Sequence, residues 1–544
     1  MEEYQNNSKQ INLPLKLAIT LFIGVLLGLG FGKFGTSDKE VRIAGNKYEQ
    51  VLGLIKEHYV DSVDLYNITD EGYKRMFAKL DPHTSYIPSK DLKLVRSQLE
   101  SDFEGIGVEF NIYNDTLVVV RTIKSGPSEK AGILPGDRII AVNKDTIAGV
   151  GIDNRKVFDL LRGEKGSKVN LLIYRRLKNE FLTLEIIRDD IPTYSVEVSY
   201  MVDERTGFLK VNRFAENTYN EFKKALQELN RRGLDRLVLD LRNNGGGYMG
   251  EAEKMADELL EKGSLIVYTK SKATHYDHKS YAIKDGLFEK GELIVLINEN
   301  SASASEILAG AIQDNDRGLI LGRRSYGKGL VQRGFQLVDS SEVRITISRY
   351  YTPSSRCVQK SYEEGLEDYS SDYKKRENSG ELFSADSIKV NDTLVYSTKN
   401  GRTVFGGGGI IPDDFIAKDT SNYSNYLGSL YGHRVLNDFA LDYVNREKEY
   451  LEKMGVIQFV DEFELDTYMY GVIISKATAR GLVFKIDEFN KSRSKIMLQS
   501  KALIARGIWG EEGYYRVINN DDDYLKSAMK LFDKAKAIRE GNLN

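Results

Sequence analysis

The run LAITLFIGVLLGLGFG at residues 17–32 carries no charged side chain and sits between Lys16 and Lys33. Extended over residues 13–34 it reaches about 33 Å at roughly 1.5 Å per residue, enough to cross the hydrocarbon of a bilayer when the lysines snorkel to its edges. No A-x-A-like cleavage site follows, so the pattern predicts an uncleaved single-pass anchor rather than a removed signal peptide. Lys9 and Lys16 ahead of the span place the N-terminus in the cytoplasm and export the body of the chain. The spacing then turns helical over residues 38–93. Apolar positions in YEQVLGLIKEHYV (residues 48–60) recur at helical intervals, and a second helix covers residues 69–79. LDPHTSYIPSKDL follows, where Pro82 and Pro88 break regular structure.

From residue 94 to 180 the pattern is that of short strands between glycine turns. GIGVEFNI, TLVVVRTI, DRIIAVN and KVNLLIYR read as strands, VFDLLRG as a helix and SEKAGI as a short one. Over residues 190–420 continuous apolar runs alternate with helical stretches, the α/β signature. RLVLDLR (residues 236–242) leads through NNGGG into a helix over residues 250–261. ELIVLIN (residues 292–298) leads through ENSASA into a helix over residues 303–314, and GLILG and EVRITISRYYTP supply further strands. Residues 361–400 are polar and charged and read as a surface excursion. Residues 421–544 are helical in pattern, rich in Lys, Glu and Tyr, and hold no chemical motif.

Composition narrows the classes. A chain of 544 residues, 41% of them hydrophobic, supports several domains around a large core. With 77 basic against 80 acidic residues and no basic block, nucleic-acid binding has no electrostatic footing. The single cysteine, Cys357, excludes an internal disulfide and a cysteine-based zinc site. The HYDH stretch at residues 275–278 lacks a third ligand, so no metal site is expected.

Chemistry concentrates at SASASEILAGAIQD (residues 301–314), where three serines run into a helix. A serine hydroxyl needs a base, and none of His58, His83, His275, His278 and His433 stands in a triad-like context. The other base available is Lys328 in RRSYGKGLVQ, between Gly327 and Gly329 after a hydrophobic strand. Desolvation lowers a lysine from about 10.4, and at ~7–8 it becomes a usable general base. Periodicity alone does not choose among Ser301, Ser303 and Ser305. Earlier in the chain, Gly105, Ile106, Gly107 and Val108 form a loop at a strand entrance, a shape that offers successive N–H groups to a carboxylate. A peptide adds beside the strand that follows such a loop.

That loop together with SGPSEKAGILPGDRIIAVN resembles a PDZ domain, which implies capture of an exposed peptide C-terminus. The wider set LDPHTSYI, LRGEKGSKV, LDLRNNGGGYMGEA, NENSASASEILAGAIQD, RRSYGKGLVQ, RYYTPSSRCVQ and GGGIIPD, spread over residues 40–415, resembles the carboxyl-terminal processing peptidases, or tail-specific proteases. The resemblance implies a serine endopeptidase with a Ser/Lys dyad and no metal or organic cofactor. It implies a ClpP/crotonase-like ββα core of the α/β class at residues 190–420, with a PDZ-like β module inserted at residues 94–180. A membrane-anchor helix at residues 13–34, an N-terminal helical region at residues 38–93 and a helical C-terminal domain at residues 421–544 complete the expected architecture. The nucleophile falls on Ser303, the base on Lys328 and the dyad's supporting polar residue on Gln332. The oxyanion donors fall on the N–H groups of Ala304 and Gly246. Gly247 is the second candidate, because this chain has glycine where the family mostly has proline. Arg162, at the end of the module's helix, is expected to reach Gln332 and report tail occupancy.

The expected partners are protein or peptide substrates with accessible C-termini and the membrane, with a second copy or an adaptor at the C-terminal helices. The family precedent places the catalytic body on the periplasmic side of a bacterial envelope. Two other classes compete: a catalytically silent PDZ scaffold, and a crotonase-like enzyme acting on acyl thioesters.

Overall fold

The computed structural model describes residues 39–97, 99–176 and 178–542. The anchor expected at residues 13–34 lies outside them. Among the described residues no helix is long and apolar enough to cross a membrane. Two units separate, one ending at Lys79 and the other beginning at Leu80.

The first unit holds the two expected helices, Lys39–His58 and Leu65–Phe77. Asp64 caps the second by accepting from the N–H groups of Tyr66 and Asn67, and Tyr48 stacks on Tyr73. Residues 80–93, grouped with these helices by spacing, belong to the second unit. The strand Ser85–Ile87 pairs antiparallel with Glu342–Tyr351 and draws the preceding turn there.

The second unit is built on a six-stranded sheet ordered Val196–Met201, Thr206–Val211, Arg236–Asp240, Glu292–Ile297, Leu319–Gly322 and Asp414–Phe415. Only the first pair is antiparallel; the rest run parallel. Strands covered on both faces read as unbroken apolar runs, which is why RLVLD and ELIVLI are legible. One face packs against the helices Thr218–Arg231, Met249–Asp257 and Ala304–Asp314 through Phe222, Leu226, Met255, Ile307 and Leu308. The opposite face is covered by the last helix, Asp523–Glu540, through Leu525, Phe532 and Ile538. This helix therefore completes the α/β layer, although it lies within the expected C-terminal domain.

A second sheet, all antiparallel, joins Ser85–Ile87, Glu342–Tyr351, Leu265–Ser271 and His278–Tyr281, with Leu330–Gln336 also paired to Glu342–Tyr351. The β module contains the expected strands and a further one, Glu180–Ile187, paired along its length with Lys168–Arg175. The module thus extends past the expected boundary at residue 180. The remaining C-terminal helices, Asn425–Gly432 to Ile486–Asn520, share a separate core. Glu511 of that group pairs with Arg121 of the β module at 2.6 Å. The excursion at residues 361–400 contains the short helices Leu366–Ser370 and Asp372–Asn378, and it is not merely superficial. Arg376 is buried and donates to the carbonyls of Arg324, Ser325 and Tyr326, in the loop that leads to Lys328.

Candidate active site

The serine cluster sits where the strand Glu292–Ile297 turns into the helix Ala304–Asp314. Its outer two members are structural. Ser301 Oγ donates to the Leu241 carbonyl at 2.8 Å, Ser305 Oγ donates to the Asn244 carbonyl at 2.9 Å, and both residues are fully buried. Ser303 between them is half-buried and stands at the helix N-cap. There the first-turn N–H groups and the helix dipole favour negative charge. Its φ of 57° with ψ of −114° lies outside the regions a side chain normally adopts. Such a conformation costs of order 1–3 kcal/mol and persists only where surrounding contacts impose it. Ser303→Gly is therefore expected to raise the midpoint of thermal unfolding above that of Ser303→Ala; equal midpoints in calorimetry would show that no strain resides there.

The contacts that impose it come from Glu306, a buried carboxylate in the first turn of the same helix. Its Oε2 accepts from the N–H of Ser303 at 2.8 Å and of Lys328 at 2.9 Å. Its Oε1 accepts from the N–H of Gly327 at 2.7 Å and from Ser325 Oγ at 2.6 Å. One carboxylate thus holds both the turn carrying Ser303 and the loop carrying Lys328. Burial pushes the Glu306 carboxyl above its usual range, against the pull of these four donors. The Tyr350 hydroxyl repeats the link, reaching the carbonyls of Lys328 at 2.6 Å and Ser303 at 3.2 Å. Sequence reading missed Glu306, although its spacing three residues after Ser303 is that of a capping box.

Lys328 itself is half-buried. Burial lowers its amine below the ordinary lysine value; the charges of Glu306 and Asp81 act the other way, and Arg344 adds to the lowering. His83 lies in the same neighbourhood. Burial first, then the Lys328 charge, push its imidazole down to about 4, and its Nε2 lies 2.9 Å from the Tyr369 hydroxyl. Gln332 is on the strand Leu330–Gln336, with Nε2 donating to Thr346 Oγ1 at 3.3 Å. Among the described residues no hydrogen bond joins Ser303 Oγ to Lys328 Nζ.

The glycine loop after Arg236–Asp240 closes against the serine turn. A Cβ on Gly246 would fall 2.7 Å from both the Ala302 carbonyl oxygen and Ser303 Cβ, so only glycine fits, and its φ of 97° needs glycine as well. The Gly246 N–H, however, donates to Asn244 Oδ1 at 2.9 Å and is not available to an oxyanion in this arrangement. The N–H groups of Ala304 and Gly247 have no hydrogen-bond partner among the described residues. Local side-chain capture by Asn244, which glycine spacing does not reveal, reverses the order of the two glycines.

In the β module, Val108–Tyr113 is an edge strand, paired among the described residues only with Thr116–Thr122. Ahead of it Gly105, Ile106 and Gly107 are buried and Val108 is half-buried. The Ile106 carbonyl accepts from Ser128 and the Gly107 carbonyl from Ile123, while the N–H groups of Ile106 and Gly107 take no partner among the described residues. Phe110 of the strand and Phe158 of the helix Asn154–Leu161 meet edge to face at 5.9 Å. Arg162 caps that helix at its C-terminal end. Its guanidinium lies over the rings of Phe103 and Phe158 and donates to Ser97 Oγ at 2.8 Å. Among the described residues it makes no hydrogen bond to Gln332; the two aromatic faces and Ser97 hold it. Among the described residues no group of His, Cys, Asp and Glu is arranged to hold a metal ion.

A match to peptidase family S41 covers residues 205–368, and a match to the PDZ domain covers residues 105–187. Residues 426–510 match a family of unknown function, DUF8443. The chain is 33% identical over 317 residues to a carboxy-terminal-processing protease of Bartonella bacilliformis, spanning 58% of this chain and 72% of that protein. It is 31% identical over 327 residues to the carboxy-terminal processing protease CtpB of Bacillus subtilis, spanning 60% and 67%. A solved structure described as the photosystem II D1 C-terminal processing protease shares 30% identity over 57% of this chain and 83% of its own, with a TM-score of 0.34.

Proposed function

Because the chain belongs to the carboxy-terminal processing proteases of peptidase family S41 and is a serine-type peptidase, we propose that it captures the C-terminal tails of proteins through its PDZ domain and cuts them with a Ser303/Lys328 dyad. Family membership speaks against the thioester enzyme, and the presence of both Ser303 and Lys328 speaks against a silent scaffold. The observation that carries the dyad is Glu306, whose single carboxylate binds the backbone of both residues.

In the proposed reaction Ser303 Oγ attacks the scissile carbonyl carbon as its proton passes to the neutral amine of Lys328. The N–H groups of Ala304 and Gly247 receive the oxyanion, and Gly246 joins them only if Asn244 releases it. Collapse breaks the C–N bond, and the leaving amine takes the proton from the Lys328 ammonium. Water then attacks the acyl ester, giving its proton to Lys328, and collapse breaks the ester C–O bond as the Lys328 ammonium returns that proton to Ser303 Oγ. Gln332 orients the amine. The hydrogen bond from Ser303 to Lys328 forms in the substrate-bound state, as catalytic contacts commonly tighten on binding.

The free N–H groups of Ile106 and Gly107 and the open edge of Val108–Tyr113 suit a terminal carboxylate and an added strand. We assign the α/β layer to the ClpP/crotonase-like type on the strength of its parallel strands, of which Thr206–Val211, Arg236–Asp240 and Glu292–Ile297 are each followed by a helix packed on the sheet. We place the chain in a cell membrane through residues 13–34, with its catalytic body in the periplasm, on the strength of the uncharged run and its preceding lysines. A second copy or an adaptor is assigned to the helices between residues 425 and 520. The test is a matched pair of unstructured substrates ending in a free carboxylate or an amide. The carboxylate form is expected to show roughly tenfold higher kcat/KM, a difference of about 1.4 kcal/mol, and Ser303→Ala to cleave neither. Equal cleavage of the two forms would remove tail capture from the account.

A further inference from the structure

The turn at residues 80–84 lies outside the matched protease segment, yet it contacts the strands that carry the dyad's supporting residue. Asp81 is buried at its centre. Its Oδ1 accepts from the N–H groups of His83 and Thr84 and from Thr346 Oγ1 at 3.1 Å, and its Oδ2 accepts from Thr84 Oγ1 at 2.5 Å. Thr84 Oγ1 in turn accepts from the Thr346 N–H at 3.1 Å. Thr346 faces Gln332 directly across the antiparallel pair of strands.

The donors and acceptors permit one arrangement. Burial opposes ionisation of Asp81, but its four donors outweigh it and hold the carboxyl below its usual range, so Asp81 only accepts. Thr346 has a single hydroxyl proton, which goes to Asp81. Its oxygen is left to accept, and only the nitrogen end of the Gln332 carboxamide can donate to it. A carboxamide free to flip would offer either end; this chain of bonds removes one choice.

We propose that Asp81 and Thr346 are positioning residues for Gln332, fixing its nitrogen on Thr346 and leaving its carbonyl oxygen to receive an N–H of Lys328. The amine's lone pair is then free for the Ser303 proton. This rests on the orienting role of Gln332 proposed above. The charge of Asp81 also acts on Lys328: burial lowers the amine, the carboxylates of Glu306 and Asp81 raise it, and the guanidinium of Arg344 lowers it, while His83, its imidazole pushed down to about 4, adds no charge near neutral pH.

Labelled β-casein and the full chain test it. Thr346→Val keeps a β-branched side chain and removes the hydroxyl; it is expected to lower kcat roughly tenfold at unchanged KM, the scale of a misaligned catalytic group. Thr346→Ser recovers most of that loss. Thr346→Val combined with Gln332→Ala loses no more than Gln332→Ala alone, because the two act as one unit. Asp81→Asn removes one of the two carboxylates that hold a proton on Lys328, so the acid limb of kcat moves to lower pH, whereas Thr346→Val leaves the limb in place. Wild-type kcat in Thr346→Val, multiplying losses in the double variant, or an unmoved limb in Asp81→Asn overturns the proposal. Wild-type turnover in Gln332→Ala overturns the role of Gln332 itself, and the relay with it. Should Thr346→Val not fold, the limb of Asp81→Asn decides.

Discussion

Lys328→Ala is expected to lower kcat by ~10³-fold or more, within the range supplied by general-base catalysis, while casein-type substrates still bind. The reason is the state of the amine. Burial opposes its protonation more strongly than Glu306 and Asp81 favour it, so its pKa lies below the free-lysine value. Turnover should rise with pH through that lowered pKa, and the limb should vanish in the variant. The same shift has a thermodynamic sign. Between the folded and the unfolded pKa the folded chain binds fewer protons than the unfolded one, so stability rises with pH across that window. Below it, the folded state bears the cost of a charged amine in a poorly solvated site. Lys328→Met should therefore unfold at a higher temperature than the wild type near pH 7, with the gap closing toward pH 10. A kcat limb at the free-lysine value, or a variant of equal stability across that range, would remove Lys328 as the base.

What was legible locally was the pattern of an apolar run buried on both faces, then a loop, then a helix, twice over, which places the glycine loop after Arg236–Asp240 and the serine cluster after Glu292–Ile297. The choice of Ser303 among the three serines and of Lys328 in the loop ahead of Leu330–Gln336 came from the motifs' resemblance to a family rather than from periodicity. What escaped was non-local. Thr346 meets Gln332 and Asp81 only because three strands align in one register, and register is set by pairing across long separations. The helix Asp523–Glu540 escaped for a related reason. Its apolar stripe is plain, but a stripe does not name the surface it covers, and that surface belongs to strands between residues 196 and 322. Residues 361–400 look solvated because their charges are many, yet Arg376 and Glu381 are buried, Glu381 paired with Arg324 and Arg376 donating to backbone carbonyls. Arg162 stands at its helix end as the spacing indicates, and its partners there, two aromatic rings and Ser97, come from segments that no local pattern brings to it.

Glu306 carries the second large effect, and its two substitutions separate structure from chemistry. Glu306→Ala strands the N–H groups of Ser303, Gly327 and Lys328 and the Ser325 hydroxyl, all in a buried site. At about 1–3 kcal/mol for each unpaired buried donor, partly recovered by water, a loss of at least about 3 kcal/mol is expected. That corresponds to roughly 3 °C or more in thermal midpoint for a protein unit of this size, and activity should fall with it. Glu306→Gln is the sharper test. Each carboxylate oxygen accepts from two donors; Ser325 can turn its hydroxyl and accept on its remaining lone pair beside the Ile410 N–H at 2.6 Å, but the three backbone N–H groups cannot reverse their role. Whichever way the amide is placed, its NH₂ faces a backbone donor, either the N–H groups of Ser303 and Lys328 or the Gly327 N–H. The nucleophile turn and the lysine loop then part by a fraction of an ångström, enough for about a 10²-fold loss in kcat with little change in substrate binding. An isosteric variant with wild-type kcat and an unchanged midpoint would mean that the two loops are aligned by Tyr350 and their own packing, and that the carboxylate has no part in setting the distance between alcohol and amine.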